Sequence, residues 1–313
     1  MIIESPALSP LYRLKNMQSH YKYGEMFCDS ILTSYRIYGD PASQLMPLII
    51  LHGGPSGGFD YLLNYHELSD DGRMVIFYDQ YGCGRSTHFP LADASFWTIE
   101  RYLQQLRQLI SHLNIGQRYS LLGHSWGGML AAEHACTQPE GLSGVIYASA
   151  PASIPLWQSE VLRLLKELTA GADAMPDDAI MQAKIYQHPP EQLIAYYKKH
   201  VYSLAQEPLH IQRSDAQFAA DPTAYHVLWG ANELAVNGLL AQWDITRSLH
   251  KIRCPGLVLH GEYDQATSQV VQPLITHITH CRGVTIPDSS HNPHEENTEP
   301  CLTAVREFLR GLD

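Results

Sequence analysis

The sequence predicts an α/β fold, a mostly parallel sheet with helices on both faces and a helical insertion. Three observations carry that prediction. First, short apolar runs end abruptly in glycine-bearing loops: Pro47-Leu48-Ile49-Ile50-Leu51 runs into His52-Gly53-Gly54-Pro55, and Met74–Tyr78 into Asp79-Gln80-Tyr81-Gly82-Cys83-Gly84-Arg85-Ser86. A third run, Tyr119–Leu122, ends in Gly123-His124-Ser125-Trp126-Gly127-Gly128. Continuous apolar runs of this length suit strands buried on both faces. Second, helical patterns alternate with the runs, as a covered parallel sheet requires. Third, the strand-like runs disappear between about Pro151 and about Leu240 and return afterwards.

The elements follow in order. Asp29–Tyr38 alternates loosely as a strand, and Gly39-Asp40-Pro41 is a turn. Ile99–Leu113 carries apolar residues at 99, 103, 106, 109, 110 and 113, the spacing of one helix face. Met129–Cys136 reads as a helix and Gly144–Ala148 as a strand. The stretch that follows is rich in Leu, Gln, Tyr and Trp and is broken by Pro155, Pro176, Pro189-Pro190, Pro208 and Pro222. It is expected to be a mostly helical insertion over residues 151–240, with residues 1–150 and 241–313 forming the core domain. Gly256–His260 is a strand ending in Gly261-Glu262-Tyr263-Asp264, and Gly283–Ile286 is another, ending in Pro287-Asp288-Ser289-Ser290-His291. A terminal helix spans about Thr298–Leu309, and no internal repeat or low-complexity tract is present.

Composition narrows the function classes. The 313 residues are 45% hydrophobic and 17% charged, ordinary for a globular protein, with a net charge of −11. No Lys/Arg cluster exceeds two, so neither nucleic acid nor an anionic membrane is an expected partner. The six cysteines are scattered without a CxxC pair, which argues against a zinc site or a dense disulfide framework. The opening MIIESPALSPLYRLKN lacks a signal-type apolar core, and no apolar run reaches the roughly 18 residues of a membrane span. A cytoplasmic, reduced protein is expected. Gly82–Thr87 lacks the third glycine of a dinucleotide loop, and Gly53–Gly58 lacks the Gly-Lys-Ser/Thr of a phosphate loop. No cofactor and no metal are expected.

Ser125 is the candidate nucleophile. Gly123-His124-Ser125-Trp126-Gly127 follows a strand and precedes a helix, the setting of a sharp turn that lifts a serine hydroxyl above a sheet edge. Small residues two positions away on each side relieve the crowding. A serine needs a base, and the base an orienting acid, in the chain order Ser, Asp or Glu, His. Asp264 and His291 each end a late strand and fit that order. His294 follows Pro293, which suits a helix start instead. Glu262 comes before its turn is complete, Asp288 shares the loop of His291, and Asp79 precedes the serine. The oxyanion donors expected are the backbone N–H groups of Trp126 and Gly54.

LHGGPSGG, DQYGCGRS, GHSWGG, WDIT, GEYD and SSH stand in the order and spacing of the proline iminopeptidases, and from about residue 24 onward the chain resembles that family. Related amino-acid amidases and prolinamide hydrolases share the pattern. The resemblance implies the α/β-hydrolase fold, a helical cap over residues 151–240, the triad Ser125, Asp264 and His291, and cleavage after a free N-terminal residue, often proline. It also implies acidic residues that hold the substrate ammonium. Glu233, in Asn232-Glu233, matches one of them, whereas Gln265 stands where a second glutamate is expected. That exchange predicts weaker capture of a free amine, or tolerance of a neutral amine-side group. Trp157, Tyr225 and Trp229 are candidate walls of an apolar pocket. The expected partner is a small-molecule or short-peptide substrate, and the sequence leaves the oligomeric state open, a monomer included. Two further classes use the same residues: an esterase or an acyl-transferring or cyclising enzyme of specialised metabolism with a repurposed cap, and a non-catalytic binding protein on the same fold.

Overall fold

The chain's alternating apolar runs become the centre of a sheet. The computed structural model describes residues 21–168 and 191–313. The opening sixteen residues and the breaks at Pro176 and Pro189-Pro190 lie outside them.

Among the described residues an eight-stranded sheet has the order β1-β2-β4-β3-β5-β6-β9-β10. Its strands are β1 (Lys22–Cys28), β2 (Ile31–Tyr38), β3 (Leu48–Leu51), β4 (Val75–Tyr78), β5 (Tyr119–His124), β6 (Leu142–Ala148), β9 (Gly256–Gly261) and β10 (Cys281–Ile286). β1 and β2 form an antiparallel hairpin, and β2 joins β4 antiparallel. From β4 to β10 every pairing is parallel. The loops after these strands therefore gather at one edge.

Strand periodicity divides the core. Leu48 and Ile50 join Phe77, Leu122 and Ile146 on one face, while Ile49 and Leu51 join Ile76, Leu121 and Val145 on the other. On the second face lie α1 (Ile99–His112) and α2 (Trp126–Cys136). The Thr98 side chain caps α1 by accepting from the Arg101 N–H, and Leu103, Leu106, Leu109 and Ile110 are buried from its apolar stripe. The opposite face is covered by the 3₁₀ segment Asp60–Ser69 and the terminal helix Thr298–Arg310. Leu302, Val305 and Leu309 of that helix are almost fully buried, and each contributes about 1.5–3 kcal/mol by leaving water.

Between β6 and β9 the chain forms α3 (Ile154–Leu168), α4 (Glu191–Tyr196), a π turn (Tyr197–Val201), α5 (Leu209–Ala220) and α6 (Thr223–Leu228). The two ends of this segment are joined: the Ile154 N–H donates to the Trp243 carbonyl and the Ile245 N–H to the Ala152 carbonyl. One part departs from the helical expectation. Gly230–Asn232 and Ala235–Val236 pair as a short antiparallel hairpin, β7–β8. Strands of three and two residues are too short to show a period of two. The turn is held by the Asn232 side chain, which accepts from the Leu234 N–H. The remaining helices are α7 (Ser268–His277), α8 (Pro293–Glu296) and α9, the terminal one. Pro293 opens α8, as the sequence suggests. Among the described residues no helix is long and apolar enough to cross a membrane.

Candidate active site

The turn at Ser125 is built by exclusion. Ser125 has φ +53° and ψ −120° between β5 and α2, a conformation that side-chain-bearing residues rarely adopt. A Cβ on Gly123 would lie 2.2 Å from the Gly127 carbonyl oxygen, and one on Gly127 would lie 2.1 Å from that of Leu51. The two glycines flanking the serine are thus required by backbone contact. Trp126 is the first residue of α2, so its N–H has no intrahelical partner.

The loop after β3 is fastened beside the serine. The Trp126 indole N–H donates to Gln80 Oε1 at 2.8 Å, and Gln80 Nε2 donates to the His52 carbonyl at 2.8 Å. A Cβ on Gly53 would be 3.1 Å from Ser125 Cβ, so the two backbones nearly touch. Gly54, with φ +113°, follows directly. The DQYGCGRS motif has a structural task here as well. Asp79 accepts from the Phe59 and Arg85 backbone N–H groups at 3.1 and 2.9 Å, and it faces the Arg85 guanidinium at 3.5 Å. Burial outweighs these donors and pushes its carboxyl up to about 6.

Asp264 and His291 meet. Asp264 Oδ1 is 2.8 Å from His291 Nδ1, both side chains are buried, and Asp264 also accepts from the Ala266 N–H at 2.7 Å. The rivals sit elsewhere. Glu262 and Asp288 are exposed, and the Glu262 carboxylate accepts from the Asp288 N–H. His294 stacks on Tyr65 and donates from Nε2 to the Tyr61 carbonyl, and burial holds it down at about 4. Burial also opposes charge on His291. The Asp264 carboxylate, by its charge and its hydrogen bond, outweighs burial with help from Glu233 and Glu296, and His291 titrates above its ordinary value. The His291 ring lies 5.0 Å from that of His124, the residue before Ser125, and 5.6 Å from that of Trp157.

Glu233 sits at the β7–β8 turn and reaches toward the same group. Its carboxylate accepts from the Tyr225 hydroxyl at 3.2 Å and from Gln265 Nε2 at 2.9 Å. Gln265 is fully buried, and its Oε1 accepts from the Tyr196 hydroxyl at 3.3 Å. Burial raises Glu233 above the usual carboxylate range, against the opposing pull of His291 and the two donors. Trp229 packs edge-on against Trp157 at 5.8 Å, which in turn meets His291. Sequence reasoning missed Gln80, Tyr196 and Tyr61 as contributors. Gln80 stands inside a quoted motif; Tyr61 and Tyr196 belong to none and are found only by proximity. Among the described residues no group of three or more His, Cys, Asp or Glu side chains could hold a metal ion.

A sheet edge that presents a strained serine beside a carboxylate–imidazole pair defines a class, and the comparisons agree with it: the sequence model described as the alpha/beta hydrolase family matches residues 48–304. The chain belongs to that family. Proline iminopeptidase from Saccharolobus solfataricus is 34% identical over 283 residues, 88% of this chain and 87% of the relative. That from Heyndrickxia coagulans is 32% identical over 267 residues, 85% and 91% of the two chains. The crystal structure of proline iminopeptidase from Mycobacterium smegmatis has a TM-score of 0.86 at 36% identity, covering 93% of this chain and 98% of that one. Within the α/β-hydrolases, the chain is a member of the proline iminopeptidase family and an aminopeptidase-type serine hydrolase.

Proposed function

We propose that the protein hydrolyses the amide bond after the N-terminal residue of short peptides or amino-acid amides, with proline favoured, through an acyl-enzyme on Ser125. The observation that carries this reading is the 2.8 Å hydrogen bond between Asp264 and His291 beside the serine turn. In the proposed reaction Ser125 Oγ attacks the carbonyl carbon while its proton passes to His291 Nε2. The Asp264 carboxylate holds the Nδ1–H and stabilises the imidazolium. The oxyanion accepts from the backbone N–H groups of Gly54 and Trp126, each worth about 3 kcal/mol in the transition state. His291 then gives its proton to the leaving amine. Water, activated by the same imidazole, attacks the ester and releases the free amino acid.

Glu233 is assigned to the substrate ammonium. A single carboxylate, steadied by the neutral Gln265, supports weaker capture of the free amine than two acids would give. Trp229 and Trp157 are read as walls of the pocket, and residues 151–240 as the cap that bears them. The six cysteines are free, which supports a reducing, cytoplasmic setting. One chain supplies every group named, so a monomer suffices, and neither nucleic acid nor membrane enters the reading.

The test is hydrolysis of a prolyl arylamide by the purified protein and its loss in Ser125→Ala. Turnover of acyl esters with none of any free-amine amide would replace this reading with the esterase one.

A further inference from the structure

The three polar atoms of one tyrosine that no motif includes make four hydrogen bonds, to different parts of the site. The Tyr61 hydroxyl is 2.7 Å from the Gly53 nitrogen and 2.7 Å from His124 Nδ1. The Tyr61 backbone N–H donates to Ser214 Oγ of α5 at 3.0 Å, and its carbonyl accepts from His294 Nε2 at 3.0 Å. His124 in turn lies 2.8 Å from the His291 carbonyl through Nε2. The direction of each bond follows from chemistry. A carbonyl only accepts, so His124 Nε2 carries the hydrogen and its Nδ1 is bare. Tyr61 must therefore donate to Nδ1, and its oxygen is left to accept from the Gly53 N–H.

We propose that Tyr61 is a positioning residue, the centre of a directed relay that runs from the Gly53 N–H through Tyr61 and His124 to the backbone of His291. The relay ties the oxyanion loop, the serine turn and the base loop into one register. The bond to Ser214 fastens the same residue to α5, so docking of the helical segment bears on the oxyanion loop. The inference rests on the proposed nucleophilic role of Ser125. Three features make the relay stiff. A Cβ on Gly53 would lie 2.8 Å from the Tyr61 hydroxyl, so the loop is already at contact distance. The Tyr61 ring packs edge-on against His124 and His294, with centroids 5.4 and 5.9 Å away. Burial, first, keeps His124 far below its ordinary value, with the neighbouring His291 and His294 adding to the effect, which favours the neutral form that the relay needs.

Tyr61→Phe keeps the ring and removes the hydroxyl. It leaves the Gly53 N–H and His124 Nδ1 without their partner, and the oxyanion loop loses its tether. The experiment measures kcat and KM on whichever amide or ester the parent turns over through Ser125. It also measures the inhibition constant of an amino aldehyde, which forms a tetrahedral adduct, and the melting temperature. The expected result is a fall in kcat of about ten- to hundredfold, less than loss of a whole oxyanion donor brings. KM should stay within about twofold, and the aldehyde constant should rise by the same factor as kcat falls. His124→Phe breaks the relay at its next bond and should give the same signature; it replaces Tyr61→Phe as the test if that variant fails to fold. The double variant should be no worse than the weaker single one, because both cut one path. A folded variant with kcat and aldehyde inhibition unchanged would overturn the proposal, and so would losses that multiply in the double variant. Failure of the parent to act through Ser125 would instead remove the functional reading beneath it.

Discussion

In the proposed reaction His291 must be neutral to accept the serine proton, and its surroundings decide when that is. Because Asp264, Glu233 and Glu296 together lift it above its ordinary value against burial, protonation inactivates the enzyme at a higher pH than a free imidazole would. The acid limb of kcat/KM is therefore expected to have its midpoint above the ordinary 6.5, with a plateau on the alkaline side. Glu233→Gln removes one of the lifting charges. Measured with an uncharged ester, the limb should shift to lower pH, and KM for free-amine substrates should rise far more than for blocked ones. An unmoved limb with equal KM changes would detach Glu233 from both roles. At this scale the placement of the candidate residues was legible, and Asp264 and His291 do meet. Ser125, Asp264 and His291 stand at strand ends in a fixed chain order, and that order is a property of sequence. The partners of Gln265 were not legible: its amide meets Glu233 and Tyr196 from distant turns, and no local pattern encodes such a meeting.

Among the elements, the strand–turn–helix around Ser125 makes the sharpest demand. An alanine at Gly127 would drive a methyl group into the Leu51 and His52 carbonyl oxygens, at 2.1 and 2.7 Å. Backbone atoms cannot yield as a flexible side chain does, so β3 and α2 would have to separate. Gly127→Ala is expected to cost at least about 2 kcal/mol of stability, read as a lower denaturant midpoint, and to depress kcat as well. A variant with wild-type stability would show that the turn tolerates the spread. The parallel strands were readable because burial on both faces makes them uniformly apolar, and α1 because a long helix repeats its stripe. The hairpin β7–β8 was not, for its few residues hold no full period, and α7 drew no reading at all although its Val270, Val271 and Leu274 are buried.

Across the whole molecule, distant parts of the chain are closed on one another by a few charged contacts. Arg73, almost fully buried, donates to the Met46 carbonyl and pairs with both carboxylate oxygens of Asp313 at 3.2 and 2.6 Å. Asp313→Asn would leave the guanidinium buried beside a neutral amide. The expected loss is about 3 kcal/mol, the lower end for a broken buried pair, because the Asp313 side chain is 20% exposed. Burial raises the Asp313 carboxyl, but the Arg73 bonds and charge outweigh it and hold the group below its ordinary value. Its contribution is therefore complete above the ordinary carboxylate range and fades as pH falls through the lowered value. Thermal unfolding of parent and variant should converge at low pH; a constant gap would refute the ion pair as its cause. Elsewhere α5 is held at both ends by histidine–carboxylate pairs, His210 with Glu295 and His88 with Asp221. None of these closures follows from any local run of residues.

The central claim is that Ser125 is the nucleophile and that His291, oriented by Asp264, activates it. Mass-spectrometric mapping of the adduct formed with a serine-directed phosphonate tests it most directly. The account predicts one adduct, on Ser125, forming at least about a hundredfold more slowly in His291→Ala. A turnover-competent protein that is labelled at another residue, or labelled at Ser125 equally fast without the imidazole, would contradict it.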